Sequence, residues 1–254
     1  MYDSSVLPAK KSPFWNKLIY ATLMKPALRG GFHAVRMQQA QPWPADMPVI
    51  IYGNHSSWWD AHVPMTANEE RWRRDGYVMA EDTQLARYGF FRYCGAFSVN
   101  RSDGRSAMQS LAYAVERLTE APNRMLLIFP QGEILANDAR PLKFFAGMGH
   151  IVKKVAQAGS VALVPFALRY EFIGEQKPEA FMRVGAPAVM AGSADAKAVT
   201  AQMEAALTDE LDRLRDDVVA YRLDGFETLI AGNWSINRIW DAVRGKRQIK
   251  EVGR

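Results

Sequence analysis

Cysteine, histidine and long apolar runs are all scarce in this chain, and each shortage removes a class of answers. Its 254 residues hold one cysteine, Cys94, so no internal disulfide forms and a disulfide-stapled secreted fold is excluded. A multi-cysteine metal site is excluded with it. Of the four histidines, His33, His62 and His150 show no metal-ligand spacing. No segment reaches the roughly 18 apolar residues that a membrane-spanning helix needs. The best candidate, LIYATLM at 18–24, is bracketed by Lys17 and Lys25. It is also too short for a signal peptide and has no small-residue cleavage site after it. Charge of one sign is modest as well: the net +5 is mild for a nucleic-acid binder, and no nucleic-acid partner is expected.

The apolar fraction of 48% is that of an ordinary globular core, and the length suits one large domain. The positive charge is confined to the ends. Residues 1–37 carry six Lys and Arg against Asp3, and residues 225–254 carry six against Glu227, Asp241 and Glu251. The body between them is therefore slightly acidic.

Residues 13–39 read as helix, with Phe14, Trp15, Leu18, Ile19, Leu23 and Leu28 recurring at three- and four-residue steps. Pro26 and Gly30-Gly31 divide it into two short helices. After a proline-rich stretch, strand-like runs follow at 49–53, 77–80, 96–99, 124–129, 161–170 and 181–185. Helical stretches alternate with them at 60–71, 83–91, 104–120, 147–158 and 196–221. In 104–120, Ala107, Leu111, Ala114, Val115 and Leu118 share one face, with Asp103 placed as the cap. Strands alternating with helices imply an α/β fold: one domain, a largely parallel mixed sheet flanked by helices, and amphipathic helices at both termini. The divisions expected are a helical membrane-association segment at 1–40, an α/β domain at 41–222, and a basic amphipathic helix and tail at 223–254.

Chemistry concentrates after the first strand. VIIYG runs into Asn54-His55-Ser56-Ser57-Trp58-Trp59-Asp60, and α/β proteins build their sites at the C-terminal ends of parallel strands. An aspartate accepting from one imidazole nitrogen fixes the tautomer and leaves the other nitrogen as a base. The plain alternative makes Asp60 a helix cap and His55 a loop residue. Three further blocks follow in order: Gly95-Ala96-Phe97-Ser98-Val99-Asn100-Arg101, Phe129-Pro130-Gln131-Gly132-Glu133, and Val164-Pro165-Phe166.

In order and spacing, these four blocks resemble the motifs of the glycerolipid acyltransferase superfamily, which includes 1-acylglycerol-3-phosphate acyltransferases; the likeness covers roughly 50–170. The resemblance implies an enzyme that moves a fatty acyl group from acyl-CoA or acyl carrier protein to the hydroxyl of a lyso-lipid. His55 would be the general base and Asp60 its orienting carboxylate. Asn54, Arg101, Phe129, Pro130, Gln131, Gly132 and Glu133 would bind substrate, Arg101 taking the acceptor head group and the Gly132 backbone lying close to it. No metal and no cofactor beyond the acyl co-substrate are expected. The third block departs from the family's Phe-Pro-Glu-Gly-Thr: the glutamate is displaced to Glu133 and the usual arginine is missing, with Arg140 and Lys143 as possible substitutes. A non-phosphorylated acceptor, such as a lyso-aminolipid or a glycosylated isoprenoid, therefore stays open beside a phosphomonoester. So does a non-catalytic lipid-binding module on the same fold.

Other residues have plain readings. His62, two residues from Asp60, suits a helix surface better than a place near the site, and Cys94 suits a buried thiol. Arg71, Arg73 and Arg74 suit a solvated helix end or the phosphates of CoA, and Arg101 has Asp103 as a local ion-pair candidate. At the termini, Trp15, Trp234 and Trp240 accompany basic residues. In 233–247, Trp234, Ile236, Ile239, Trp240 and Val243 form an apolar stripe. Tryptophan with Lys and Arg suits an anionic membrane surface, so the expected location is peripheral, on the cytoplasmic face of a membrane. The alternative is that both helices simply dock on the domain.

Overall fold

Valine, isoleucine and leucine dominate the strands at the middle of this chain because those strands are covered on both sides. In the computed structural model, which describes residues 6–234 and Trp240, β2 (Val49–Gly53) is buried at every position. Its side chains alternate between two cores. Ile50 and Tyr52 enter one core, and Val49 and Ile51 the other, as the two-residue period of a strand requires.

The strands are β1 (Ala34–Gln39), β2, β3 (Asp75–Glu81), β4 (Ala96–Val99), β5 (Arg124–Ile128), β6 (Ser160–Glu171), β7 (Glu179–Val184), β8 (Ala188–Ala191) and β9 (Glu227–Ala231). They form one mixed sheet in the order β4-β3-β5-β2-β6-β7-β1-β9, with β8 also paired to β6. From β4 through β6 every pairing is parallel. The C-terminal ends of five strands thus lie along one edge, where a site can be assembled. β6 pairs antiparallel with β8 through its first residues and with β7 through its last.

Helices α1 (Pro13–Ile19), α2 (Lys25–Gly31), α3 (His62–Ala67), α4 (Asp82–Arg87), α5 (Gly104–Thr119), α6 (Gly147–Ala158) and α7 (Ala196–Val219) flank the sheet. The core that receives Ile50 is shared with α5, α6 and α7, and the core that receives Ile51 with α2, α3 and α4. Caps follow the sequence signals: Asp103 accepts from the Arg105 amide and Asp195 from the Ala198 amide. Pro26 does not divide the helix as expected: the π-turn Tyr20–Met24 joins α1 to α2 with helical backbone throughout, and such a wider turn accommodates a residue that has no N–H to donate.

Two further parts of the sequence reading are corrected. Residues 34–39 are not the end of a helix but strand β1, parallel to β7 and antiparallel to β9. The helices end at Gly31. Three strands, β1, β8 and β9, were not foreseen, and β9 falls inside the stretch expected to be helical after residue 223. Ile236, Ile239 and Val243, with the basic residues around them, lie outside the described residues.

Candidate active site

β2 reaches the site edge at Gly53, where a Cβ would stand 2.3 Å from the buried Phe166 ring and force that ring to move. The next residue extends the sheet with its side chain. Asn54 Oδ1 accepts from the Leu168 amide at 2.8 Å, and Asn54 Nδ2 donates to the Leu168 carbonyl at 3.0 Å. The backbone is thereby released to turn while remaining tied to β6. Asn54 also donates to Asn137 Oδ1 at 3.2 Å. It is buried and is not among the residues of the cavity wall; its bonds hold the turn that carries His55.

His55 is fixed from several directions. Its amide donates to Gln131 Oε1 at 2.9 Å, and its carbonyl accepts from the Leu135 amide at 2.8 Å. Its ring stacks on Phe129 with centroids 4.8 Å apart. Nδ1 lies 2.7 Å from Asp60 Oδ2. Asp60, fully buried, also accepts from the Ser56 and Ser57 amides on Oδ2, and from the Tyr170 hydroxyl on Oδ1 at 2.6 Å. Burial, followed by the Asp60 charge, raises the Tyr170 hydroxyl well above its usual pKa, so it remains a donor. Tyr170 is stacked on Phe32 in turn. With Nδ1 committed to Asp60, the proton sits there and Nε2 is the open acceptor.

His55 stands in the wall of a cavity of about 520 Å³, within the size range of small-molecule sites. The wall draws on both cores. On the α3–α4 side it includes Met65, Val78, Leu85 and Phe91, and on the α5–α6 side Leu111, Ile128 and Met148. Phe129, Pro130, Gly132 and Arg101 also line it. Gly132 has φ +71°, and a Cβ there would meet Arg101 Nη1 at 2.3 Å, so glycine admits the guanidinium to the strand end.

Arg101 is not a free cation. Its Nε donates to Glu81 Oε2 at 2.8 Å, and its guanidinium lies over the Phe145 ring at 5.6 Å. Asp103, the local partner that the sequence offered, instead caps α5. Gln131 lies behind His55 and not in the wall. Glu133 is exposed and also outside the wall, so the displaced glutamate does not take the place that Gln131 fills. Neither substitute cation reaches the cavity: Arg140 pairs with Asp212 on α7, and Lys143 is not in the wall. Arg74 is spent on the carbonyls of Pro44, Met47 and Pro122, and Arg71 pairs with Glu227.

His62 is a correction. It is not on a helix surface: it is buried, lines the cavity, and stacks on Trp58 at 4.4 Å. Burial pushes its pKa down to about 4, outweighing the Trp58 carbonyl and Asp60, so it is neutral at pH 7. Cys94 is buried as expected, and burial pushes its thiol up to about 12. Among the described residues, no group of three His, Cys, Asp or Glu side chains converges to hold a metal ion.

Tyr170 and Gln131 are the parts of the arrangement that spacing did not disclose as neighbours of the pair. Tyr170 lies 110 positions from Asp60 and only the pairing of β2 with β6 brings them together. A family model described as Acyltransferase matches residues 34–169, over half of the chain, from β1 into β6. Among solved structures, the fold is similar to that of the 1-acyl-sn-glycerophosphate (LPA) acyltransferase PlsC from Thermotoga maritima. The identity is 17% and the TM-score 0.57, covering 79% of this chain and 81% of that one. No curated protein matches the sequence.

Proposed function

The chain belongs to the acyltransferase family and is an acyltransferase; from that premise we propose that it transfers a fatty acyl group from an acyl thioester, acyl-CoA or acyl carrier protein, to the hydroxyl of a lyso-lipid. The observation that carries this reading is the His55–Asp60 pair at the wall of an apolar cavity. In the reaction, His55 Nε2 takes the proton of the acceptor hydroxyl as the oxygen attacks the thioester carbonyl. The new C–O bond forms, the C–S bond breaks, and the imidazolium returns the proton to the leaving thiolate. Asp60, held by its four donors, keeps the ring in the required tautomer and stabilises the imidazolium. No protein nucleophile, metal or further cofactor enters this scheme.

A second reading concerns the acceptor. Among the described residues lining the cavity, Arg101 is the one Lys or Arg, and Glu81 already compensates it. That balance favours a head group of low charge, a lyso-aminolipid or a glycosylated hydroxyl, over a phosphomonoester dianion. Arg101→Ala separates the two: a large rise in acceptor KM supports an anionic head group, and an unchanged KM supports the neutral one.

The substrates imply a membrane, and the exterior supports one. No helix among the described residues is long and apolar enough to cross a bilayer. α1 and the turn after it expose Phe14, Trp15, Leu18 and Leu23 beside Lys10 and Lys17, and Trp58, Ile134 and Phe145 stand exposed at the cavity. This arrangement supports peripheral attachment at an anionic, cytoplasmic lipid face. The test of the reaction is incubation with labelled acyl-CoA and a panel of lysolipids. Acylated product from at least one acceptor is expected. No product with any acceptor would favour a non-catalytic lipid-binding module instead.

A further inference from the structure

The geometry points to His62 as a substrate-binding residue that accepts a hydrogen bond from a second donor of the acceptor lipid, an O–H or N–H beside the hydroxyl that is acylated. The inference rests on the acyl-transfer reading above and deepens it by giving the acceptor one more required group. His62 opens α3, two residues after Asp60, and its ring sits in an aromatic box. Trp58 stacks on it at 4.4 Å, while Trp59 and Phe91 stand at steep angles to it, 5.9 and 5.8 Å away. Nδ1 is sealed from solvent, and no group stands in hydrogen-bond geometry to it. The Trp58 carbonyl, four residues back, is the backbone group that acts on the ring. A carbonyl only accepts, so the single N–H of the neutral ring belongs on that sealed side. The lone pair then belongs to Nε2, the nitrogen left to face the cavity whose wall His62 helps to form.

Such a lone pair selects by chemistry. A ligand O–H or N–H fills it, whereas a phosphate, carboxylate or ester oxygen brings a second lone pair and is refused. His62 does not compete with His55 for the reacting proton, because burial leaves it neutral and too weak a base. Its surroundings also separate it from the charged end of the cavity. Arg101 and Glu81, at the ends of β4 and β3, satisfy each other, while Met65 and Leu85 share the wall on the His62 side. The donor that His62 meets therefore belongs to the less polar part of the lipid, next to the reacting hydroxyl. A phenylalanine would fill the same aromatic box with no unpaired nitrogen. The imidazole thus destabilises the empty protein and gains its partner only when a donor-bearing lipid is bound.

The test uses the full chain and two matched pairs of lyso-lipid acceptors. One pair carries its fatty chain through an amide or through an ester, so that only the first has an N–H. The other pair has a second hydroxyl that is free or O-methylated. Wild type is compared with His62→Phe and with His62→Gln, whose side-chain amide returns an acceptor near the Nε2 position. In wild type, the donor-bearing member of at least one pair should have an acceptor KM about 3- to 10-fold below that of its partner. His62→Phe should abolish the difference, His62→Gln should restore part of it, and the thioester KM should stay unchanged. The pair that responds tells an amide N–H from a hydroxyl. At neutral pH the urea midpoint of His62→Phe should equal or exceed that of wild type. A wild type that treats both pairs alike, or a His62→Phe protein that keeps the difference, would overturn the assignment. So would a rise confined to the thioester KM, or a lower midpoint with equal loss on all four acceptors. If no form turns over any acceptor, yet calorimetric affinity for the same lipids shows the difference in wild type and not in His62→Phe, the His62 assignment stands and the transfer reading falls.

Discussion

Four donors converge on the Asp60 carboxylate, and three of them come from within five residues of it. The His55 ring and the Ser56 and Ser57 amides all lie in the turn that Asp60 closes. That proximity put the pair within one local block, but a spacing of five left the helix-cap reading open, and the order of the four blocks decided between them. The fourth donor, Tyr170, was not legible, because its 110-residue separation carries no local signal. Asp60→Asn should lower kcat by about three to four powers of ten, as amide-for-carboxylate changes do in other histidine–carboxylate pairs. Tyr170→Phe should lower kcat about tenfold with KM little changed, the effect of roughly one hydrogen bond to a charged group. A lowered rate matched by an equal loss of folded protein at the assay temperature would leave Tyr170 a purely structural role. For His62, closeness to Asp60 pointed to the site while nothing in the sequence marked burial, so the helix-surface reading was preferred and the structure overturns it. Folded His62 takes its proton near pH 4, and in the unfolded chain near 6.5. Between those values the unfolded state binds more protons, so stability rises with pH through that window and is lost on acidification. Its share, on the order of 3 kcal/mol, should vanish in His62→Phe, seen as a flatter dependence of the urea midpoint between pH 4 and 6.5.

At the scale of elements, the central strands and the long helices announced themselves, and the edge strands did not. β2 and β4 coincide with the expected runs, and α6 spans the expected 147–158, because continuous burial and helical periodicity leave strong patterns. β1 reads AVRMQQ and owes its form to neighbours on both sides, β7 and β9, which tertiary pairing supplies and local propensity does not. β8 and β9 are short, with most of their residues exposed, and so lack the apolar signature of a buried strand. Gly149 illustrates a contact of the same hidden kind. A Cβ there would lie 2.0 Å from the Ala196 carbonyl oxygen, so α6 and the start of α7 touch backbone to backbone. Gly149→Ala should therefore cost about 1–3 kcal/mol of stability despite its better helix propensity. An unchanged urea midpoint would mean that the helices separate freely.

Over the whole molecule, charge and apolar exposure answer different questions. The basic amino-terminal residues accompany α1, whose Phe14 is 68% exposed, while the parallel half of the sheet carries the His55 edge. On the proposed reading, vesicles containing anionic lipid should retain the protein at low salt and release it at high salt, since each basic side chain contributes about 1 kcal/mol near such a surface. Replacing Phe14 and Trp15 together by serine should weaken retention further. Binding indifferent to salt, lipid charge and both substitutions would mean that α1 only docks on the domain. The central claim is narrower than attachment: His55 removes the proton of the acceptor hydroxyl. Its most direct test is a radiolabelled acyl-transfer assay of wild type against His55→Ala, with circular dichroism to establish that both are folded. Transfer by the wild type and none above background by His55→Ala is predicted; undiminished transfer by a folded His55→Ala protein would contradict the account.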